Sequence, residues 1–292
     1  MAFIAIGGAL VAGTAAAVSV IRRRNRARYE FGVVNDGPRT VMPGAEPIAY
    51  DRDGRGVLIL HGFGDTTQSV QELAAFLHGR SWNVRAPLLP GHGTSLKAFT
   101  AARADDWLAA ARSALREMHA RCSSVVIVGQ SMGGTLATIL AAESQVSALV
   151  LLVPYMRMSP RALWSGRFHH LVSLVLPYLR SRSESSILDP EARGRALGKG
   201  ETTPRLLHEL DRIVCLARAA APRVRVPTLV IHSAQDPRIR ATDAEAAFAA
   251  LGCETKSLKW VRRSGHVLSV DYDREWVFRE VAEWLDAHGS PA

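Results

Sequence analysis

Along this chain, short apolar runs bounded by glycine, proline or charge alternate with longer stretches whose apolar positions recur three and four residues apart. The short runs predict buried strands, and the longer stretches predict helices that cover them. Strands fall near 57–61, 82–86, 124–129, 148–153, 227–232 and 257–261, and helices near 67–79, 103–120, 132–143, 241–250 and 274–287. Strands that are apolar along their whole length and alternate with helices belong to a mostly parallel sheet covered on both faces. Residues 30–50 add one or two antiparallel edge strands, with limits blurred by Pro38, Pro43 and Pro47.

The alternation stops between Val153 and Val226. So long a stretch without strands inside a compact domain is normally functional. It reads as a helical cap, with apolar clusters at Leu163-Trp164 and Leu171–Leu176 and a helical period from Leu206 to Ala221. Residues 181–203, rich in serine, glycine and charge, read as a mobile part of it. The expected division is therefore an N-terminal segment at 1–28, a core at 29–153 and 227–292, and a cap at 154–226.

Candidate chemistry sits at the ends of the strands. Val125–Val128 runs into Gly129-Gln130-Ser131-Met132-Gly133 and then into the helix-forming Thr135–Ala142. This strand–turn–helix context makes G-x-S-x-G a nucleophile elbow, where a sharp turn holds a serine hydroxyl clear of the fold. Gly129 and Gly133 suit it because a Cβ there would meet the closely approaching chain. The strand Gly56–Leu60 ends in His61-Gly62-Phe63-Gly64-Asp65, a turn able to aim main-chain N–H groups at a developing oxyanion. By position those donors are the amides of Phe63 and Met132.

Pro227–Ser233 leads to Asp236, the candidate orienting acid, and Ser257–Val261 leads to a glycine-containing loop carrying His266, the candidate base. The order Ser131, Asp236, His266, with gaps of 105 and 30 residues, matches one of the familiar triad orders and neither of the others. Asp271 is the rival carboxylate. Among ten histidines, His61, His92 and His232 read as braces of loops and strands.

Taken together, HGFG, LLPGHGT, GQSMGG, HSAQDP and SGHVLSVDYDRE resemble the α/β-hydrolase superfamily, and within it the bacterial carboxylesterase and monoacylglycerol-lipase-like branch. The resemblance spans roughly residues 55–287. It implies an α/β-hydrolase fold with the cap inserted after strand 6, the strand at 148–153. It implies a Ser131 nucleophile, a His266 base, an Asp236 partner, and an oxyanion hole from the Phe63 and Met132 amides. The implied activity is a serine hydrolase cleaving short- to medium-chain carboxylic esters or monoacylglycerols. An acyltransferase or thioesterase using the same triad, and a non-catalytic ligand-binding protein, are the alternatives. Gln130 departs from the branch, since monoacylglycerol lipases commonly carry histidine before the nucleophile.

No cofactor or metal is indicated, because H-E-x-x-H, C-x-x-C, Walker and G-x-G-x-x-G patterns do not occur. Cys122, Cys215 and Cys253 form no disulfide framework. The net charge of +9 owes much to Arg22, Arg23, Arg24, Arg26 and Arg28, without which 31 basic residues face 27 acidic ones. No nucleic-acid module accompanies them, so no nucleic-acid partner is expected. Ala2–Ile21 is twenty residues without a charge. With arginines following, it predicts a membrane anchor through residues 2–21 with the catalytic domain on the cytoplasmic side, export after signal cleavage being the alternative.

Overall fold

The computed structural model describes residues 16–27, 41–180, 186–198 and 200–289. A helix α1 over 16–27 is followed by β1 (Ile48–Tyr50), β2 (Arg55–Leu60), α2 (Gln71–Gly79), β3 (Asn83–Ala86), α3 (Leu96–Ala101) and α4 (Ala104–Arg121). Then come β4 (Ser124–Gln130), α5 (Met132–Glu143) and β5 (Leu149–Leu152). The 154–226 stretch holds α6 (Pro160–Arg167), α7 (His169–Val175), β6 (Leu179–Arg180), α8 (Pro190–Arg195), β7 (Glu201–Thr202) and α9 (Pro204–Ala220). β8 (Thr228–Ser233), α10 (Ala241–Ala250), β9 (Lys256–Val261) and α11 (Arg274–His288) complete the chain.

Seven of the described strands form one sheet in the order β1-β3-β2-β4-β5-β8-β9, with β1 antiparallel to β3 and the remaining neighbours parallel. Alternate side chains serve opposite faces, as the pleat requires. Leu58, Leu60, Ile127, Leu149, Leu151 and Val230 join the core under α4, α5 and α9. Val57, Ile59, Val126, Val128, Val150 and Leu229 join the core under α2 and α11. Burial on both faces explains why these strands read as continuous apolar runs. From β1 at the edge the chain enters β2, steps back outward to β3, then crosses to β4 on the other side of β2 and continues to β9. That reversal opens a crevice at the carboxyl ends of β2 and β4, where α/β sheets bind ligands.

The described part of the stretch between β5 and β8 is mostly helical, and three of its four α-helices start with a capping side chain followed by proline. Ser159, Asp189 and Thr203 accept from Ala162, Glu191 and Leu206 amides, and Pro160, Pro190 and Pro204 follow them. Residues 186–195, part of the segment expected to be mobile, are instead bonded to the core, through groups described below. Residues 181–185 and 199 of that segment lie outside the described residues.

The membrane anchor expected over residues 2–21 is corrected, and the localisation built on it falls with it. Among the described residues no helix is long and apolar enough to cross a membrane. A span needs about 20 apolar residues, whereas the described helix over 16–27 includes Arg22, Arg23, Arg24 and Arg26. Asn25 of α1 bonds both backbone groups of Tyr178, at 3.0 and 3.1 Å. Residues 2–15 lie outside the described residues, as does most of the region expected to add edge strands, of which β1 is described.

Central burial sets a first prediction. Ile127 is fully buried at the middle of β4, so Ile127→Ala leaves a cavity and costs about 3 kcal/mol. A urea titration should show a lower midpoint with an unchanged slope.

Candidate active site

β4 ends in a turn that few residues tolerate. Ser131 lies at φ 54°, ψ −117°, in the left-handed half of backbone space. A Cβ on Gly129 would overlap the Gly133 carbonyl, and one on Gly133 would overlap the Leu60 carbonyl. The Ser131 N–H donates to Leu152 O at 2.9 Å, and its carbonyl accepts from the Tyr155 and Thr135 amides at 3.1 Å. The turn is thus bonded to the end of β5 on one side and to the first turn of α5 on the other.

His266 reaches this serine from the loop after β9. Its Nε2 is 2.8 Å from Ser131 Oγ, and its Nδ1 is 2.7 Å from Asp236 Oδ2. A carboxylate only accepts, so Nδ1 carries the proton and Nε2 is left to accept from the serine hydroxyl. Asp236 Oδ1 accepts from the amides of Arg238 and Ile239 at 2.8 and 3.1 Å. Burial works to raise the Asp236 pKa, but His266 and the Arg238 amide outweigh it and hold the carboxyl below its ordinary value.

The other candidates gather at the same edge. Gly62 packs against Ser131, since a Cβ placed on it would lie 3.3 Å from the serine Cβ. Phe63 follows it. Met132 opens α5, so its N–H is one of those a helix leaves without an intrahelical partner. The Phe63 ring meets Phe99 and Trp107, with centroids 5.3 and 5.9 Å away. Asp271 is not near the imidazole in role, because backbone N–H groups occupy both of its oxygens. Among the described residues, no group of histidine, cysteine and carboxylate side chains could hold a metal ion.

Residues 53–273 match the Hydrolase_4 family, described as serine aminopeptidase, S33. The chain belongs to that family. It is an α/β-hydrolase of the esterase and lipase kind. It is 27% identical over 248 residues to a thermostable monoacylglycerol lipase of Bacillus sp. strain H-257, covering 85% of this chain and 97% of that lipase. It is 25% identical over 244 residues to a carboxylesterase of Bacillus subtilis strain 168, covering 82% and 96%. A solved structure from work on the metagenome-derived lipolytic enzymes LipS and LipT superposes with a TM-score of 0.79 at 27% identity, covering 85% of this chain and all of that one. The monoacylglycerol lipase of Paleococcus ferrophilus, at 20% identity and a TM-score of 0.72 over 83% and 98%, shares the fold.

In this hydrolase Gln130 ties the elbow to the histidine loop. Its Oε1 accepts from the Ser269 amide at 3.2 Å and lies 2.8 Å from Ser269 Oγ, whose one proton faces both this oxygen and Ser69 O at 2.5 Å. Ser269 lies three residues beyond His266, and a glutamine carbonyl serves it as an acceptor without ionising. Three further contacts close that loop: Ser233 Oγ donates to Ser264 O at 2.5 Å, and Asp273 Oδ2 accepts from Arg263 N and from Ser264 Oγ, both at 2.9 Å. Sequence reasoning did not find these partners, although Ser264, Ser269 and Asp273 all lie in the motif that carries His266.

The bracing histidines are buried. His61 Nε2 accepts from the Leu89 amide at 3.1 Å, so its Nδ1–H is the one that points to Gly62 O at 3.0 Å. Both ring nitrogens are used in the neutral form. Burial lowers the His61 pKa to about 4, against the Gly62 hydrogen bond, and it also lowers those of His92 and His232. His92 rests among Phe63, Phe99 and Trp107.

Such histidines make the fold acid-sensitive. Unfolded His61 takes up a proton near pH 6.5, while the folded ring stays neutral to about 4. The unfolded state therefore binds more protons in that window, and stability present above pH 6.5 is lost as the pH falls toward 4, by about 3 kcal/mol from this group. Urea midpoints should drop steadily from pH 6.5 to 4.5. His61→Gln should be less stable at pH 7.5 yet lose less on acidification over that window.

Proposed function

We propose that this protein hydrolyses carboxylic esters, with monoacylglycerols and short- to medium-chain esters as its substrates, through an acyl-enzyme on Ser131. The reading rests above all on one observation, the hydrogen-bonded series from Asp236 through His266 to a serine held in a strained turn. The lipase and carboxylesterase names of full-length relatives support the ester as the bond cleaved.

In the mechanism, His266 Nε2 takes the proton as Ser131 Oγ attacks the ester carbonyl. The oxyanion forms against the amides of Phe63 and Met132, donors fixed before the reaction and worth on the order of 3 kcal/mol each in comparable sites. Asp236 keeps the proton on Nδ1 and stabilises the imidazolium. His266 then hands its proton to the departing alcohol. Water, deprotonated by the same imidazole, releases the acid and restores the serine.

Residues 154–226 serve as the cap in this reading. Half-buried Phe63, Tyr155 and Leu207 pack on the same apolar cluster as Met132, which supports an apolar setting for the acyl chain. Of the expected core at 29–153 and 227–292, the described residues 41–153 and 227–289 carry the chemistry in this reading.

A fluorophosphonate probe should label the wild type and leave Ser131→Ala unlabelled, and that substitution should lower kcat for p-nitrophenyl esters by about 10⁴-fold or more. Asp236→Asn should cost about 10³- to 10⁴-fold by permitting the wrong tautomer. A folded wild type that resists the probe would sink the reading. Preference for amino-acid p-nitroanilides would turn it to the peptidase of the family description, and preferential acyl transfer to an added alcohol would turn it to a transferase.

A further inference from the structure

The mechanism leaves the buried carboxylate of Asp271 unused. Asp271 is fully buried, and each of its oxygens accepts two backbone N–H groups. Oδ1 takes those of Asp189 and Tyr272, both at 2.9 Å, while Oδ2 takes those of Leu188 and Gly265 at 2.8 and 2.7 Å. Each oxygen thus holds one donor from the 186–189 segment, and Oδ2 pairs it with the Gly265 amide of the loop around His266, while Oδ1 pairs it with the amide of the next residue, Tyr272. The two segments meet again at the histidine itself, where Ser186 O accepts from the His266 and Val267 amides at 2.7 and 3.0 Å. Arg238, two residues beyond Asp236, donates from Nε to Ser186 Oγ at 2.6 Å. Ile187 packs with Val270, Ala192 and Val267.

We infer that Asp271 is a positioning residue that fastens residues 186–189 of the insertion to the histidine loop, so that the insertion sets where the His266 imidazole stands. This rests on the reading of His266 as the base. The loop from Arg262 to Val267 has no helix or strand of its own, so its backbone direction follows from the groups that bond it. The Ser264 and Asp273 contacts fix its entrance. The amide of His266 is fixed by Ser186, and Asp271 holds both segments in that pairing. An asparagine at 271 replaces one acceptor oxygen with an NH2 group. Whichever way that amide turns, one donor of the insertion faces another donor instead of an acceptor, together with the Gly265 amide in one orientation or the Tyr272 amide in the other.

The test uses the full chain with Asp271→Asn and Ile187→Ala, assayed below their melting temperatures on p-nitrophenyl acetate and p-nitrophenyl octanoate. A displaced imidazole slows both esters, so Asp271→Asn should lower kcat about 10- to 100-fold with KM within about twofold. The rate of fluorophosphonate labelling of Ser131 should slow by the same factor. Ile187→Ala should show the same pattern at about threefold or more, and carries the test alone if Asp271→Asn does not fold. A lower melting temperature with kcat within twofold of wild type would overturn the inference, as would a rise in KM confined to the octanoate. Ser131→Ala run beside them separates the two layers. Its full loss with a normal Asp271→Asn overturns the inference alone, whereas activity that survives in Ser131→Ala overturns the reading of the site and the inference with it.

Discussion

A backbone bent into the left-handed region at a residue with a side chain costs on the order of 1–3 kcal/mol, and at Ser131 the surrounding fold holds it there from every side. β4 and β5 are in register through Gln130 and Leu152, so the Ser131 amide continues the ladder one step beyond the strand. Gly129 and Gly133 let α5 and the β2 carboxyl end come close enough to exclude other paths for the chain. A second residue shares the strain. Val153, at φ 43° and fully buried, leaves β5 in the same region while its amide bonds Ile231 O at 2.8 Å. Two bends side by side at the carboxyl ends of neighbouring strands point the chain out of the sheet, and the hydroxyl is delivered where the crevice opens.

Around that hydroxyl the polar groups are assigned so that one path for a proton is left. Asp236 spends Oδ1 on two backbone amides and has Oδ2 for the imidazole. His61 and His92 sit nearby but are kept neutral by burial, and the two ring nitrogens of His61 are both engaged with backbone. His232, 3.9 Å from Asp236, is likewise pushed toward its neutral form by burial. The bracing rings thus add structure without competing charge, which leaves the serine–histidine pair for the proton transfer of the proposed mechanism.

What could be read from sequence follows from where the information lies. The core strands were legible to within one or two residues because they are buried on both faces, and burial writes itself as an apolar run. Ser131, Asp236 and His266 were legible because each stands on a turn after such a strand, flanked by residues that only a turn of that kind needs. α3 escaped notice since six residues after LLPGHGT are too few to show a period. The 186–195 segment was misread as mobile because its composition is that of a loop. Its order comes from Asp271, more than 80 positions away, acting on backbone N–H groups that leave no side-chain signature. The start of α8 was nonetheless written in Asp189-Pro190. The uncharged stretch before Arg22 suggested a membrane anchor, whereas the helix described there runs on through four arginines and, among the described residues, no helix is long and apolar enough to span a membrane.

The insertion divides by how it is attached. α9 is clamped to the core by charge: Glu209 accepts from the Ala104 amide at the start of α4, Arg212 bridges Glu209 and Asp105, and Arg205 donates to Thr100 O. Its apolar face, with Leu206, Leu210 and Ile213, joins the cluster that includes Met132. α6 and α7 touch the core through α9, where Gly166 packs on the Leu207–His208 backbone and His169 stacks on His208. They expose Trp164, Phe168, Leu171 and Leu174. Large apolar groups left uncovered together make a patch of the kind that marks interaction sites. The insertion thus has two kinds of attachment: α9 and residues 186–189 are bonded directly to α4, to Asp271 and to the His266 backbone, whereas α6 and α7 are held through α9. Under the proposed cap role, substitutions in α6 and α7 would alter what approaches the site without disturbing the bonds that α9 and residues 186–189 make to the core.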